Sequence, residues 1–199
     1  TTFTTGSLAS PQFGAYAGNP ARVRIFLDGM ELDNLDPRAG GAIDLAELQL
    51  WSLEQVTIER GADEIRVYCR TWTVQRTTTS TRIDVLTGDQ RTNLYRAFFG
   101  KRYKHGEILQ VGGQSYGTSS DEAVGGGNEL SLFARLGWAS KQWSVDGYLM
   151  HANRTRDFRL QDLGNTLLEP GIPEQDRTRA DMYFRGGYGD PDSGAWAQV

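Results

Sequence analysis

The side chains of this 199-residue chain that could do chemistry are few and scattered. It holds one cysteine, Cys69, and two histidines, His105 and His151. A lone cysteine excludes an intramolecular disulfide framework and any zinc site built on clustered thiolates. Two histidines far apart in the sequence make no metal centre without further ligands. The run Asp190-Pro-Asp-Ser-Gly194 offers oxygens to a hard cation such as calcium, but Pro and Gly in these places describe a tight turn first. The pieces Val111-Gly-Gly-Gln114 and Val124-Gly-Gly-Gly-Asn128 are glycine-rich enough to cradle a phosphate. Neither carries Lys-Ser/Thr at P-loop spacing or sits between a strand and a helix. Serine, histidine and aspartate occur without a nucleophile elbow, and Asp121-Glu122 lies among glycines as a solvated loop pair. This inventory predicts no catalytic residue, no cofactor and no metal, and the chain is not read as an enzyme.

Composition narrows the class. Lysine and arginine number 21 against 25 aspartates and glutamates, a net charge of −4, and no basic run exceeds two residues. A general nucleic-acid partner is excluded on that balance. The hydrophobic share of 38% is low for a globular chain, yet aromatics reach 11% and there are 24 glycines, which disordered sequence does not favour. Strands that meet lipid on one face and water on the other average to this composition. No apolar run approaches the roughly 18–20 residues of a membrane helix.

The elements that must position these residues fall into two kinds. Residues 1–20 are rich in Gly, Ser, Thr and Ala with no period and read as irregular. Residues 22–27 predict a short strand closed by the turn signal Asp28-Gly29. Residues 43–50, apolar at 45, 48 and 50 behind Asp44 as a cap, predict a short helix. Residues 53–59 predict a second strand ending at Arg60-Gly61, which makes a small mixed α+β region. Residues 66–76 are extended, with Val67, Cys69 and Thr71 opposed to Tyr68, Arg70 and Trp72.

From residue 81 onward period-2 strands follow one another. They cover 82–89, 93–103, 107–116, 130–138, 143–151 and 181–189, with a further start at 195. In the clearest case Leu130, Leu132, Ala134, Leu136 and Trp138 alternate with Ser131, Phe133, Arg135 and Gly137. Several runs have the roughly ten residues that a tilted strand needs to cross a bilayer. Short turns at 104–106, 139–142 and 190–194 alternate with longer polar connections at 118–128 and 153–178, as in an outer-membrane barrel. Trp138 and Trp143 flank one short turn, where an interfacial aromatic girdle belongs. In this register Leu130, Leu132, Leu136, Trp143, Val145, Leu149 and Phe184 point outward. Arg82, Asp84, Arg96, Arg102, Arg135, Asp146 and Arg185 point inward. His151 falls at a strand end and His105 in a turn.

Three segments carry a family resemblance: Val23-Arg-Ile-Phe-Leu-Asp-Gly-Met30, Gly41-Ala-Ile-Asp-Leu45 and Leu53-Glu-Gln-Val-Thr-Ile-Glu-Arg-Gly61. In this order and spacing they resemble the plug of TonB-dependent outer-membrane receptors. There a strand ending in Asp-Gly precedes a loop, an Ile-Asp-Leu-like segment and a strand ending in Arg-Gly. The resemblance covers about residues 20–199 and is strongest over 23–61. It departs after Gly61, where the usual Pro and Gly-Gly loop is replaced by Ala62-Asp-Glu-Ile-Arg running on directly. The front half of a plug, with the TonB box, is not in view.

The resemblance implies a mainly β fold. Residues 1–80 form the C-terminal part of a plug-like domain, and 81–199 form the first antiparallel strands of a transmembrane barrel, incomplete in this chain. It implies a receptor and transporter in the cell outer membrane that takes up a scarce small-molecule ligand, energised through a TonB-type partner and surrounded by outer-membrane lipid. Glu59 and Arg60 then become partners for the inward charges of the barrel wall. Seven strands are fewer than the eight or so of the smallest such barrels, so these residues are read either as a portion of a much longer chain, with both ends cut, or as pairing edge-on with another polypeptide. The alternative is a soluble Gly-rich β-sandwich serving as a binding or adhesion module. The two differ in whether a second sheet covers the Leu/Trp rows.

Overall fold

Two adjacent residues with positive φ, Asp28 (48°) and Gly29 (92°), turn β1 (Val23–Leu27) back onto β2 (Met30–Glu31). Two left-handed residues match the twist of a two-residue hairpin, and Asp-Gly tolerates them. The Asp28 carboxylate accepts hydrogen bonds from the Thr71 amide at 2.8 Å and its hydroxyl at 2.5 Å, which lashes this turn to a later strand. The computed structural model describes residues 12–33, 42–88, 91–118, 126–157, 159–162, 168–172, 175–189 and 194–199. They divide between two compact units, Thr1–Thr73 and Val74–Val199.

The first unit is a four-stranded mixed sheet. With β3 (Leu53–Arg60) and β4 (Ile65–Thr71), the strand order is β2-β1-β4-β3. β1 runs parallel to β4, and the other pairs are antiparallel. The two strands expected from sequence thus share one sheet, joined through the extended stretch after residue 65. Ile25, Ile43 and Cys69 are buried on one face, packed by Leu27, Leu45, Leu48, Leu53 and Val67.

The helix expected over 43–50 is instead two single 3₁₀ turns, Leu45–Glu47 and Leu50–Ser52. Asp44 does cap the first, accepting from the Ala46 amide at 3.0 Å, and it also accepts from the Gln12 amide at 2.8 Å. Leu48 is extended (φ −69°, ψ 119°) between the turns. A helix this short cannot recover its nucleation cost, so burial of Leu45 and Leu48 on the sheet decides the local path.

The second unit is a seven-stranded antiparallel sheet. Its strands are β5 (Ser80–Gly88), β6 (Thr92–Arg102), β7 (Glu107–Thr118), β8 (Gly127–Ala139), β9 (Trp143–Arg156), β12 (Gln175–Tyr188) and β13 (Ala195–Gln198). A small hairpin, β10 (Arg159–Asp162) with β11 (Leu168–Ile172), is inserted between β9 and β12. The sheet order follows the chain from β5 to β13 with no crossover, and the sheet does not close on itself.

β6 to β9 and β12 hold 11 to 14 residues each. That matches or exceeds the roughly 9–11 residues of a spanning strand. β9 and β12 are longer than the sequence suggested. Residues 153–156 and 175–178 belong to paired strands rather than to the polar connection, and His151 lies within β9 rather than at its end. There the alternation is arginine against Asn, Thr and Asp, which no hydrophobic period reveals. The Gly112-Gly113 pair lies inside β7. Residues 119–125 and 190–193, with Asp121-Glu122 and all of Asp190-Pro-Asp-Ser-Gly194 but its glycine, lie outside the described residues.

Gly106 closes the β6–β7 turn at φ 98°, and a Cβ there would lie 1.9 Å from the Ala139 carbonyl oxygen. Gly106→Ala is therefore expected to lower unfolding free energy by about 2 kcal/mol or more, read from denaturant midpoints in detergent; an unchanged midpoint would contradict the strain. Cys69 is 3% exposed, and burial, aided by the Asp28 carboxylate, pushes its thiol pKa up. Little thiolate forms near neutral pH, so thiol reagents should modify native protein far more slowly than protein unfolded in urea; equal rates would contradict this burial.

Candidate functional site

The two faces of the seven-stranded sheet have opposite chemistry, and the antiparallel register fixes which residues share each. On one face Ile83 pairs with Ala97 and Val85 with Tyr95; Leu136 pairs with Leu109 and Gly147, and Phe184 with Gly147. This outer face is exposed: Leu136 is 63% accessible, Met182 69% and Phe184 58%. All seven residues expected to point outward are on it. On β8 the apolar row runs from Leu130 to Trp138. Eight rises of about 3.3 Å, tilted by about 40°, give roughly 20 Å of height, near the ~25 Å apolar band of outer-membrane barrels.

The inner face is polar and buried. Gln110 and Ser131 are fully buried, and Arg135, Arg154, Arg156 and Glu129 nearly so. The seven charges expected inside all fall on this face by register. Arg135 makes a fork to Asp146, with Nε donating to Oδ1 at 2.8 Å and Nη2 to Oδ2 at 2.5 Å. The Tyr183 hydroxyl donates to the same carboxylate at 3.4 Å. Arg154 pairs with Glu129 directly across β8 and β9. Arg96 donates to Gln114 at 2.6 and 3.1 Å, Arg179 to Asp181 at 2.8 and 2.9 Å, and Arg185 to Gln198 at 2.6 and 2.9 Å. Guanidinium forks of this kind satisfy several donors at once, which buried charge requires.

A row of rings crosses the same face, and sequence reading missed it. Phe98 and Phe133 stack at 5.7 Å, Phe133 and Tyr148 at 6.2 Å, and Tyr148 and Tyr183 at 5.2 Å. Phe98 and Phe133 are both register partners of Gly112 on β7, so the rings meet across a glycine. The row ends at Arg185, whose guanidinium lies 5.5 Å from the Tyr183 ring and 4.7 Å from that of Trp196. Only the pairing register brings these residues together; their sequence separations carry no signal.

Other residues singled out from sequence take plainer roles. Glu59 accepts from the Tyr68 hydroxyl at 3.1 Å, and the Arg60 guanidinium lies 5.5 Å from the Tyr16 ring, both within the first unit. His105 is an exposed turn residue with Nδ1 4.0 Å from Glu107, and His151 stands on the outer face beside Leu132. The first unit also carries a surface network in which Arg24 bonds Glu31, holding that carboxyl below its usual range.

No protein-family model and no curated protein matches the sequence. Among solved structures, a mutant ferric enterobactin receptor of Pseudomonas aeruginosa, determined in complex with enterobactin, aligns with a TM-score of 0.55 at 12% identity. The alignment covers 91% of this chain, which spans 37% of the length of that receptor chain. The likeness is one of fold, a mainly β architecture shared with an outer-membrane β-barrel. BamA of Haemophilus ducreyi lacking POTRA domains 1–3 aligns over 93% of this chain and 49% of its own, at 14% identity. Its TM-score of 0.22 supports no argument.

The buried Arg154–Glu129 pair gives a direct test of the inner face. Glu129→Ala strands a buried guanidinium and should cost about 3–5 kcal/mol in denaturant unfolding, whereas Glu129→Leu combined with Arg154→Met should recover most of that loss. A neutral Glu129→Ala would show that solvent reaches the pair.

Proposed function

We propose that this chain is the plug-and-wall portion of an outer-membrane receptor that takes up a small-molecule ligand. The carrying observation is the inversion of the seven-stranded sheet, with large apolar side chains exposed on one face and Arg, Glu, Gln and Ser buried on the other. A water-soluble sandwich buries its apolar face against a second sheet. A barrel wall in lipid does the reverse, because the surrounding solvent is hydrocarbon and the lumen is wet.

Two further observations support a plug role for the first unit. Residues 1–73 carry six arginines against ten carboxylates. The described inner face of the sheet carries nine arginines against four carboxylates. An acidic body and a basic wall attract one another across a wet lumen. Val74, the first residue of the second unit, is buried on that inner face. Its amide donates to Gln110 Oε1 at 3.1 Å, and its Cγ2 fills the place a Cβ on Gly100 would take. A resemblance to TonB-dependent plugs over residues 23–61 carries the expectation of TonB-driven energising.

The membrane part is tested by moving charge between faces. Leu136→Arg should cost about 2–4 kcal/mol of insertion into vesicles, while Leu86→Arg on the inner face should cost little. Equal effects, or recovery of the parent from the water-soluble fraction, would sink the barrel reading. The plug part is tested by Arg24→Cys and Thr57→Cys in a Cys69→Ser background in intact outer membranes. Both thiols should resist a membrane-impermeant maleimide applied from outside until the plug is loosened with urea. Labelling as fast as an exposed loop cysteine would remove support for a plug.

A further inference from the structure

All three lysines of the chain, Lys101, Lys104 and Lys141, lie at one end of the seven-stranded sheet, whereas arginines are spread throughout. Lys104 is in the β6–β7 turn and Lys141 in the β8–β9 turn, and both are exposed. Lys101 stands on the outer face in register with Leu109, itself the partner of Leu136. Its ammonium reaches over the Tyr103 ring at 5.0 Å, toward the turn and away from the apolar belt.

The turns form one continuous surface. The Ala139 amide donates to the Gly106 carbonyl at 3.0 Å, and the Gly189 amide to the Gln142 carbonyl at 2.7 Å. The Trp138 indole donates to the His105 carbonyl at 3.1 Å. Beside this rim Trp143 and Tyr188 meet edge to face at 4.9 Å, so amphipathic rings stand between the turn that carries Lys141 and the Leu136 belt. Such rings settle where headgroups meet acyl chains.

The two cations are sorted by chemistry. Arginines on the inner face use their planar forks on carboxylates and amides. A lysine offers a compact, strongly hydrated ammonium on a flexible apolar stem, which can lie along hydrocarbon while its head stays in water. We propose that this turn rim is a docking surface for anionic phospholipid, with headgroup phosphates held by Lys101, Lys104 and Lys141 and acyl chains lying on Leu136 and Val145. The proposal rests on the reading of the sheet as membrane-spanning. Basic residues at a membrane surface draw anionic headgroups by this attraction.

The test uses the complete gene product inserted in phosphatidylcholine vesicles containing about one-fifth phosphatidylglycerol, then extracted in mild detergent, with the co-purifying lipid quantified by mass spectrometry. The ratio of phosphatidylglycerol to phosphatidylcholine should be about tenfold above its bulk value, in line with a few lysines acting together at a charged surface. The triple variant Lys101→Gln, Lys104→Gln, Lys141→Gln should insert equally but carry lipid at the bulk ratio. Arg91→Gln, at the opposite end of the sheet, should keep the enrichment. Insertion without enrichment, or enrichment that survives the triple change, overturns the lipid site and leaves the barrel reading standing. Failure to insert in vesicles of either composition overturns the membrane reading and the proposal with it.

Discussion

Arg154 faces Glu129 across β8 and β9, and Arg135 reaches diagonally from β8 to Asp146 on β9. These pairs lock a register on which the rest of the sheet depends. Strand side chains alternate strictly, so a slip of one residue would carry both arginines onto the apolar face and Leu136 onto the polar one. Charge on the wrong side costs kilocalories per residue, whereas a mismatched leucine costs little. The buried ion pairs therefore act less as glue than as specification, a use of buried charge in which removing one partner is far worse than replacing both.

The same logic extends sideways. Apart from the inserted β10–β11 hairpin, each strand of the large sheet pairs with its neighbours in sequence, so the inner-face residues of β6 to β9 and β12 arrive side by side without any crossover. Phe98, Phe133, Tyr148 and Tyr183 become a stacked row because β7 contributes a glycine, Gly112, between the first two. Rings and guanidinium forks then make a stiff wall without a conventional hydrophobic core. The first unit is built by the opposite rule. It is a small mixed sheet with a modest apolar core around Ile25 and Cys69, a hairpin held by Asp28 and a charged surface. One chain thus carries two units built by opposite rules, one with an apolar core and one with its apolar face exposed.

The ends of the sheet are also unlike. Short turns, indole and phenol rings and all the lysines gather at one end, while the arginine-lined strand extensions of β9 and β12 stand at the other. The proposed membrane-spanning reading accounts for this through an asymmetric solvent. A sheet crossing a bilayer meets hydrocarbon, a headgroup zone and water in turn, and each layer favours a different side chain.

Much of this was legible in the sequence because a period of two is a local property. Leu130 to Trp138 alternates so cleanly that its outward and inward sets can be named without a structure, and Asp28-Gly29 announces its own turn. Asp44 as a cap was likewise legible, since capping needs only the next two residues. The length of the turn it caps was not, because burial of Leu45 and Leu48 against a distant sheet stops the helix after one turn. The extensions of β9 and β12 were hidden because arginine alternating with asparagine and threonine looks like a loop until a partner strand supplies the hydrogen bonds. The Gly112 stacking site and the Arg154–Glu129 pair belonged to tertiary structure alone. Both depend on which residue of one strand stands opposite which residue of the next, and pairing between strands decides that.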